Sequence, residues 1–246
     1  MTVDPALVRA FAPEGTLRAV LNMGNPVIAR SRTATETPAG ISIDLARALA
    51  AELGVAVHFT EVGTPGEAVD RLTREQVDVG FLAVDPGRAA GIHFTPPYVQ
   101  IEGCYLVRAD SPLQSNDEVD RAGIRIVAAV GSAYGLYLQR NLKQATLVEV
   151  AKSEGVAQAM LAEGADVGAG VRQQVEADAA RLGGLRLLPG RFMAIHQAMA
   201  LPRGRAEAAK TWLDGFVERM KRTGFAAEAL RRHGIDGAQV APPAGA

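Results

Sequence analysis

The sequence predicts an α/β protein made of two open α/β lobes in succession, joined by strands. Three observations carry this. Short apolar runs alternate with segments of helical period through the first hundred residues, the pattern of a parallel sheet with right-handed crossovers. The same alternation restarts after residue 103. The passage between, "PPYVQIEGCYLV", is itself strand-like and holds no Pro/Gly/Ser linker, so it reads as a hinge strand. The lobes are expected over 1–102 with 198–246, and over 103–197, with crossings near Glu102 and Gln197.

In order, "TLRAVLNMG" (16–24) reads as a buried strand closed by Gly24 and Asn25-Pro26, followed by a turn-rich loop, "ARSRTATETPAG". "SIDLARALAAELG" carries apolar Ile43, Ala46, Ala50 and Leu53 at helical spacing, with Ser42 as N-cap, Asp44 in the first turn and Gly54 as the stop. "VAVHFTE" (55–61) alternates as a strand. "TPGEAVDRLTRE" opens on a capping box, Thr64 to Glu67, with Pro65 at the first helical position. Val77 to Val84 is a largely apolar strand that ends in Asp85-Pro86-Gly87-Arg88.

In the second half, "CYLVRAD" (104–110) and "IRIVAAV" (124–130) are strands, with a short turn or helix, "SNDEVD", between them. "GSAYGLYLQRNLK" starts a helix with Tyr134, Leu138 and Leu142 in line. "TLVEV" is a strand, "SEGVAQAMLAEG" a helix capped by Ser153, "ADVGAG" a strand and "VRQQVEADAARLGG" a helix. "RFMAIHQAMAL" (191–201) is a long strand. "RAEAAKTWLDGFVERMKRTG" is a helix whose apolar face is Leu213, Phe216, Val217 and Met220. A short helix and the tail "APPAGA", expected to be disordered, close the chain.

Composition narrows the function. The 246 residues are 48% hydrophobic and 22% charged with net charge −1, which argues against nucleic-acid or membrane-surface binding by bulk charge. Aromatics are only 5%, too few for a base-stacking platform. The single cysteine, Cys104, rules out an internal disulfide and a thiolate metal cluster, and the four histidines show no ligand spacing. Nothing approaches the roughly 18 apolar residues of a membrane span. The first twenty residues hold Asp4, Arg9 and Glu14 and no signal-peptide core, so the chain as written is expected in the cytoplasm, or in the periplasm if a leader has been removed. No phosphate loop, dinucleotide fingerprint or nucleophile elbow is present: "GAG" at 168–170 lacks the third glycine, and "GSAYG" has the wrong spacing. No cofactor and no metal are expected.

Two places point to an anion. Gly131-Ser132 follows a buried strand and opens a helix, where unpaired N–H groups and a partial positive charge suit a carboxylate or phosphate; the plainer alternative is that Ser132 caps its own helix. Arg88 stands just past the carboxyl end of a central strand, where open α/β sheets bind ligands, and its planar fork suits a carboxylate; the alternative is a solvated surface arginine.

As a set, these segments resemble the type 2 periplasmic binding fold, specifically the extracellular solute-binding proteins of the polar amino-acid transport group, from about Thr16 to His233. "TPAGISIDLARALAAELGV" looks like the family's first-helix signature, with Ser42 in place of its first acid and Asp44 keeping the second. "EQVDVGFLAVDPGRAAGIHFTPPY" is similar to the family's stretch from Val-Asp to Arg and on to a Phe-Ser-Asp-Pro-Tyr-like end. The spacing from Arg88 to Phe94 is kept, while that from Asp78 to Arg88 is two residues shorter than usual. "VGSAYGLYL" corresponds to the second lobe's Gly-Thr/Ser helix start.

The resemblance implies that Arg88 clamps the ligand's carboxylate and that N–H groups of the Gly131-Ser132-Ala133 turn assist. It also implies that Phe81 and Ala83 contribute backbone groups, and that Asn22 and Asn25 lie beside the ligand after the first strand. Asn25 stands where the family has an aromatic, and Phe81 and Ala83 where it has hydroxyl residues. Where amino-acid binders hold the α-ammonium with an aspartate, this chain has Val171 and Arg172. An unpaired buried ammonium is costly, so a carboxylate, dicarboxylate or other small polar ligand is expected over an ordinary α-amino acid. Arg172 is either a second cation for the ligand or a solvated first-turn residue, and Glu102 either rescues an amine or serves the hinge.

The leading reading is therefore a solute-binding protein for a small anionic or zwitterionic ligand, partnered by an ABC permease. The rivals are a lyase of cyclohexadienyl dehydratase type, with Glu102 or Asp85 as its acid, and a stand-alone sensor with a signalling partner.

Overall fold

A computed structural model describes residues 3–30 and 38–245. The chain forms α1 (Pro5–Phe11), β1 (Thr16–Asn22), α2 (Ile41–Leu53), β2 (Ala56–Val62), α3 (Pro65–Thr73), β3 (Val79–Ala83) and β4 (Ile92–Arg108). It continues with β5 (Arg125–Ala129), α4 (Ala133–Asn141), β6 (Thr146–Val150), α5 (Val156–Ala162), β7 (Val167–Val171), α6 (Arg172–Leu182) and β8 (Leu185–Leu187). β9 (Met193–Pro202), α7 (Glu207–Arg222), α8 (Phe225–Arg232) and β10 (Gln239–Val240) complete it. Two compact units emerge, Met1–Gln100 with His196–Ala246, and Ile101–Ile195.

In the first unit β1 pairs in parallel with both β2 and β3, as the β-α-β-α-β pattern requires. β3 then pairs antiparallel with β9, from Gly80↔Ala200 to Ala83↔Gln197. All five residues of β3 are buried because both faces are covered. Val20, Leu72, Val77, Leu82, Ile92 and Ala200 pack together on one side. Phe81 meets Tyr98 edge-on at 6.3 Å. Phe11 of α1 packs on Trp212 of α7 at 5.5 Å, which fastens the amino-terminal helix.

β4 is one uninterrupted strand that carries the chain out of the first unit at Gln100 and includes Pro96-Pro97. β10 joins β4 only at Val99 and Gln100, and since N–H groups of successive strand residues point to opposite edges, one of the two missing N–H groups falls on the unpaired edge.

In the second unit the order is β8-β4-β7-β5-β6, with β4 antiparallel to β7 and β8, and β5 parallel to both β6 and β7.

Several local expectations need correction. Ser42 is not the N-cap of α2. That place belongs to Gly40, at φ 147°, where a Cβ would come within 2.5 Å of the Ile28 carbonyl oxygen. Ser42 is instead fully buried, its hydroxyl 3.3 Å from that of Tyr98. Ser153 does not cap α5 either: it opens a short 3₁₀ turn and its hydroxyl accepts from Tyr134 (3.0 Å). α4 stops at Asn141, one residue short of Leu142. The tail expected to be disordered is tied down at its start, where β10 pairs with β4 and the Ala241 N–H donates to the Tyr98 carbonyl (3.1 Å).

The box at Thr64 forms only in half. Thr64 Oγ1 accepts from Glu67 N, and Glu67 reaches back one residue further, to Gly63 N (3.0 Å). Most of the loop expected after Asn25 (31–37) lies outside the described residues. Among the described residues no helix is long and apolar enough to cross a membrane.

Candidate functional site

The first cluster is built by the end of β3. The Val84 N–H donates to the His196 carbonyl (2.8 Å), which closes the β3–β9 ladder. Asp85 then turns the chain: its Oδ1 accepts from Gly87 N (2.8 Å), and its carbonyl accepts from the N–H groups of Arg88 and Ala89 (3.1 Å each). This turn launches the 3₁₀ turn Arg88–Ala90 and sends the Arg88 side chain back to the strand, where Nη1 donates to the Ala83 carbonyl (2.8 Å). Arg88 is only 7% exposed, so it is not a solvated surface arginine.

Because the Val84–His196 pair exchanges a ladder bond, the alternation of an antiparallel register puts Ala83 and Phe81 at positions that do not bond β9. Their peptide groups face the β1 side, where pairing runs only to Val20↔Gly80. The Phe81 side chain itself is buried. Asn22 closes β1, 5% exposed, and its Oδ1 accepts from Gly24 N (3.1 Å). Asn25 makes the same kind of turn with Val27 N (3.1 Å). Both amide oxygens thus shape the loop after β1.

The second cluster follows β5. Gly131 takes φ +67°, which favours glycine, and delivers Ser132 as the N-cap of α4. Ser132 Oγ donates to the Ala129 carbonyl (2.7 Å) and accepts from Gly135 N (3.0 Å). Its hydroxyl is therefore spent on capping, a contribution of about 1 kcal/mol to the helix. What this turn can offer a ligand is main-chain N–H at the start of α4, with Ala133 as its first helical residue.

Elsewhere in the same unit, Val171 closes β7 and Arg172 opens α6. Arg172, its side chain 24% exposed, is engaged by protein: Nε donates to Glu102 Oε2 (2.6 Å), Nη2 to the Gly190 carbonyl (2.8 Å) and Nη1 to Glu176 (3.4 Å). Glu102 Oε1 also accepts from Arg191 (3.3 Å), a partner no sequence pattern indicated because it lies 89 residues away. Glu102 is thus held between two guanidinium groups. Cys104, buried beside them, donates to the Gly190 carbonyl (3.4 Å), and burial pushes its thiol up to about 11, so the thiolate is scarce at neutral pH. No group of histidine, cysteine or acidic residues able to hold a metal occurs among the described residues.

Residues 20–235 match the bacterial extracellular solute-binding proteins, family 3, and the chain belongs to that family. Among solved structures, the amino acid ABC transporter substrate-binding protein AbpA from Streptococcus pneumoniae, bound to L-arginine, is 17% identical with a TM-score of 0.76. The match covers 92% of this chain and 97% of that one. A histidine kinase sensor domain with similarity to periplasmic binding proteins is 22% identical, with a TM-score of 0.76 over 92% and 98% of the two chains. The ancestral amino acid-binding protein AncCDT-1, a precursor of cyclohexadienyl dehydratase, is 20% identical, with a TM-score of 0.74 over 92% and 97%. The chain has the fold of type 2 periplasmic binding proteins. No curated protein matches it.

Proposed function

We propose that the chain is the substrate-binding component of an ABC-type transporter and closes on a small carboxylate-bearing solute. The observation that carries this reading is Arg88, a charged residue only 7% exposed that the Asp85 turn brings to the end of a central strand. The chain passes from one unit to the other along β4 and again along β9. The family's description as extracellular supports action on the periplasmic side.

The solute need not be an α-amino acid. Arg172 stands where an ammonium-binding carboxylate is expected, and both oxygens of Glu102 are engaged by arginines. The test is a thermal-shift screen over carboxylates, amines and amino acids, since a ligand that binds only the folded state stabilises it by mass action. Carboxylates are expected to raise Tm, and the best of them to lower the radius of gyration in solution scattering. Stabilisation by amines alone would overturn the reading.

The likeness to a precursor of cyclohexadienyl dehydratase keeps a lyase as the rival. No turnover is expected, because Glu102 is tied to Arg172 and Arg191, and Asp85 to the turn that positions Arg88. Incubation with prephenate, arogenate and every screening hit, followed by mass spectrometry, checks this. Product formation that disappears in Glu102→Gln or Asp85→Asn would establish the lyase instead.

A further inference from the structure

Beside the Arg88 turn, in the same unit, lies a polar group that neither the fold nor the anion site uses. Gln197 stands on β9 directly opposite Ala83, whose carbonyl accepts from Arg88. The pair is of the type that exchanges no ladder bonds, so the two Cα atoms are close, about 4.5 Å, and both side chains leave the same face of the sheet. Gln197 is 2% exposed, and its Oε1 is buried with no hydrogen-bond partner among the described residues. A buried amide oxygen left unpaired is a standing cost, and such an oxygen in a native protein calls for a reason. Its register neighbours on β3 and β9, Ala83, Phe81 and Met199, are apolar. Rotation about the terminal torsion of glutamine is soft, so the amide can turn to meet a donor arriving at the strand end.

We infer that the Gln197 amide oxygen receives a neutral hydrogen-bond donor of the solute, and that the chain selects a carboxylate bearing a hydroxyl group. The inference rests on the carboxylate reading of Arg88 and adds to it what stands next to the carboxylate. A hydroxyl fits where an ammonium does not. The amide offers a lone pair but no charge, and Glu102 is already held by Arg172 and Arg191. A desolvated ammonium without a counter-charge is disfavoured far more than a hydroxyl with one acceptor. The small size of a hydroxyl also suits a side chain as enclosed as this one.

The test uses three matched sets of probes by calorimetry: lactate, propionate and alanine; 2-hydroxyisocaproate, 4-methylpentanoate and leucine; 2-hydroxyglutarate, glutarate and glutamate. In at least one set the hydroxy acid is expected to bind about 5- to 100-fold more tightly than the deoxy acid, with the amino acid no better than the deoxy acid. Gln197→Met, close in shape and without an acceptor, should erase the hydroxyl preference while leaving the deoxy acid's affinity unchanged. Gln197→Glu should move the preference towards the amino acid. Arg88→Ala separates the two claims. If it weakens every carboxylate while Gln197→Met keeps the hydroxyl preference, this inference fails and the anion site stands. If Arg88→Ala changes nothing, the anion site itself fails. Absence of binding in all three sets, or equal affinity within each, also overturns the assignment of a hydroxy acid.

Discussion

Arg88→Ala is expected to weaken carboxylate binding by about 30-fold to several thousand-fold. Losing one partner of a desolvated charge pair costs about 2–5 kcal/mol, and each 1.4 kcal/mol is a decade in Kd. The guanidinium is preorganised for this role: the Asp85 turn fixes its backbone, and the Ala83 carbonyl holds one of its nitrogens. A guanidinium carries five donors in a planar fork, the geometry that suits a carboxylate. Arg88→Lys keeps the charge and loses the fork, so it should recover only part of the affinity. Calorimetry with the best carboxylate from the thermal-shift screen reads all three proteins. An affinity unchanged in Arg88→Ala would remove Arg88 from the site.

Asp78→Asn is expected to be the most damaging substitution for stability away from the site. Asp78 is fully buried. Its carboxylate accepts from the Arg18 backbone N–H (3.0 Å), from Arg18 Nε and Nη2 (2.9 Å each) and from Arg205 Nη2 (2.7 Å). Arg205 also donates to the Ala10 carbonyl (3.1 Å), so this one carboxylate joins β1, the start of β3, the approach to α7 and the end of α1. The neutral amide takes the counter-charge from Arg205, whose side chain is 12% exposed, and leaves Arg18, 24% exposed, with only the exposed Glu14 at 3.5 Å. Breaking such a buried pair costs about 3–5 kcal/mol, a large share of the 5–15 kcal/mol typical of a folded domain. At about 2–4 °C per kcal/mol for a chain of this size, Tm should fall by roughly 6–20 °C. A fall of less than about 2 °C in scanning calorimetry would show that the network is not holding the first unit together.

The fold and the buried arginine after β3 were legible because both rest on local order. Apolar period marks strands and helices. A charged residue just past a buried strand stands out in one dimension, and the turn at Asp85 and the Ala83 carbonyl that hold Arg88 lie within five positions of it. What stayed hidden depends on partners distant in sequence. Glu102 looked available until Arg172 and Arg191, 70 and 89 residues away, were found on its two oxygens. The clamp of Arg18 and Arg205 on Asp78 spans 60 and 127 positions. The orphaned oxygen of Gln197 becomes visible only once its neighbours are known to be Ala83 and other apolar side chains. Ser42 misled for a related reason. Its type suits a cap, but Gly40, two residues earlier, adopts a backbone that a side chain would clash with, so the helix begins before the serine.

The account depends most on the claim that the solute is recognised through its carboxylate and not through an amine. The most direct measurement is calorimetry of the unaltered protein with an α-amino acid and with the same molecule lacking its amino group, for each amino acid that raises Tm. The account predicts affinities within about tenfold of each other, a difference under about 1.4 kcal/mol, because both oxygens of Glu102 are already held by arginines. Tight binding of the amino acid with loss of measurable binding by its deaminated counterpart would contradict it, and would mean that Glu102 exchanges its arginines for the ligand.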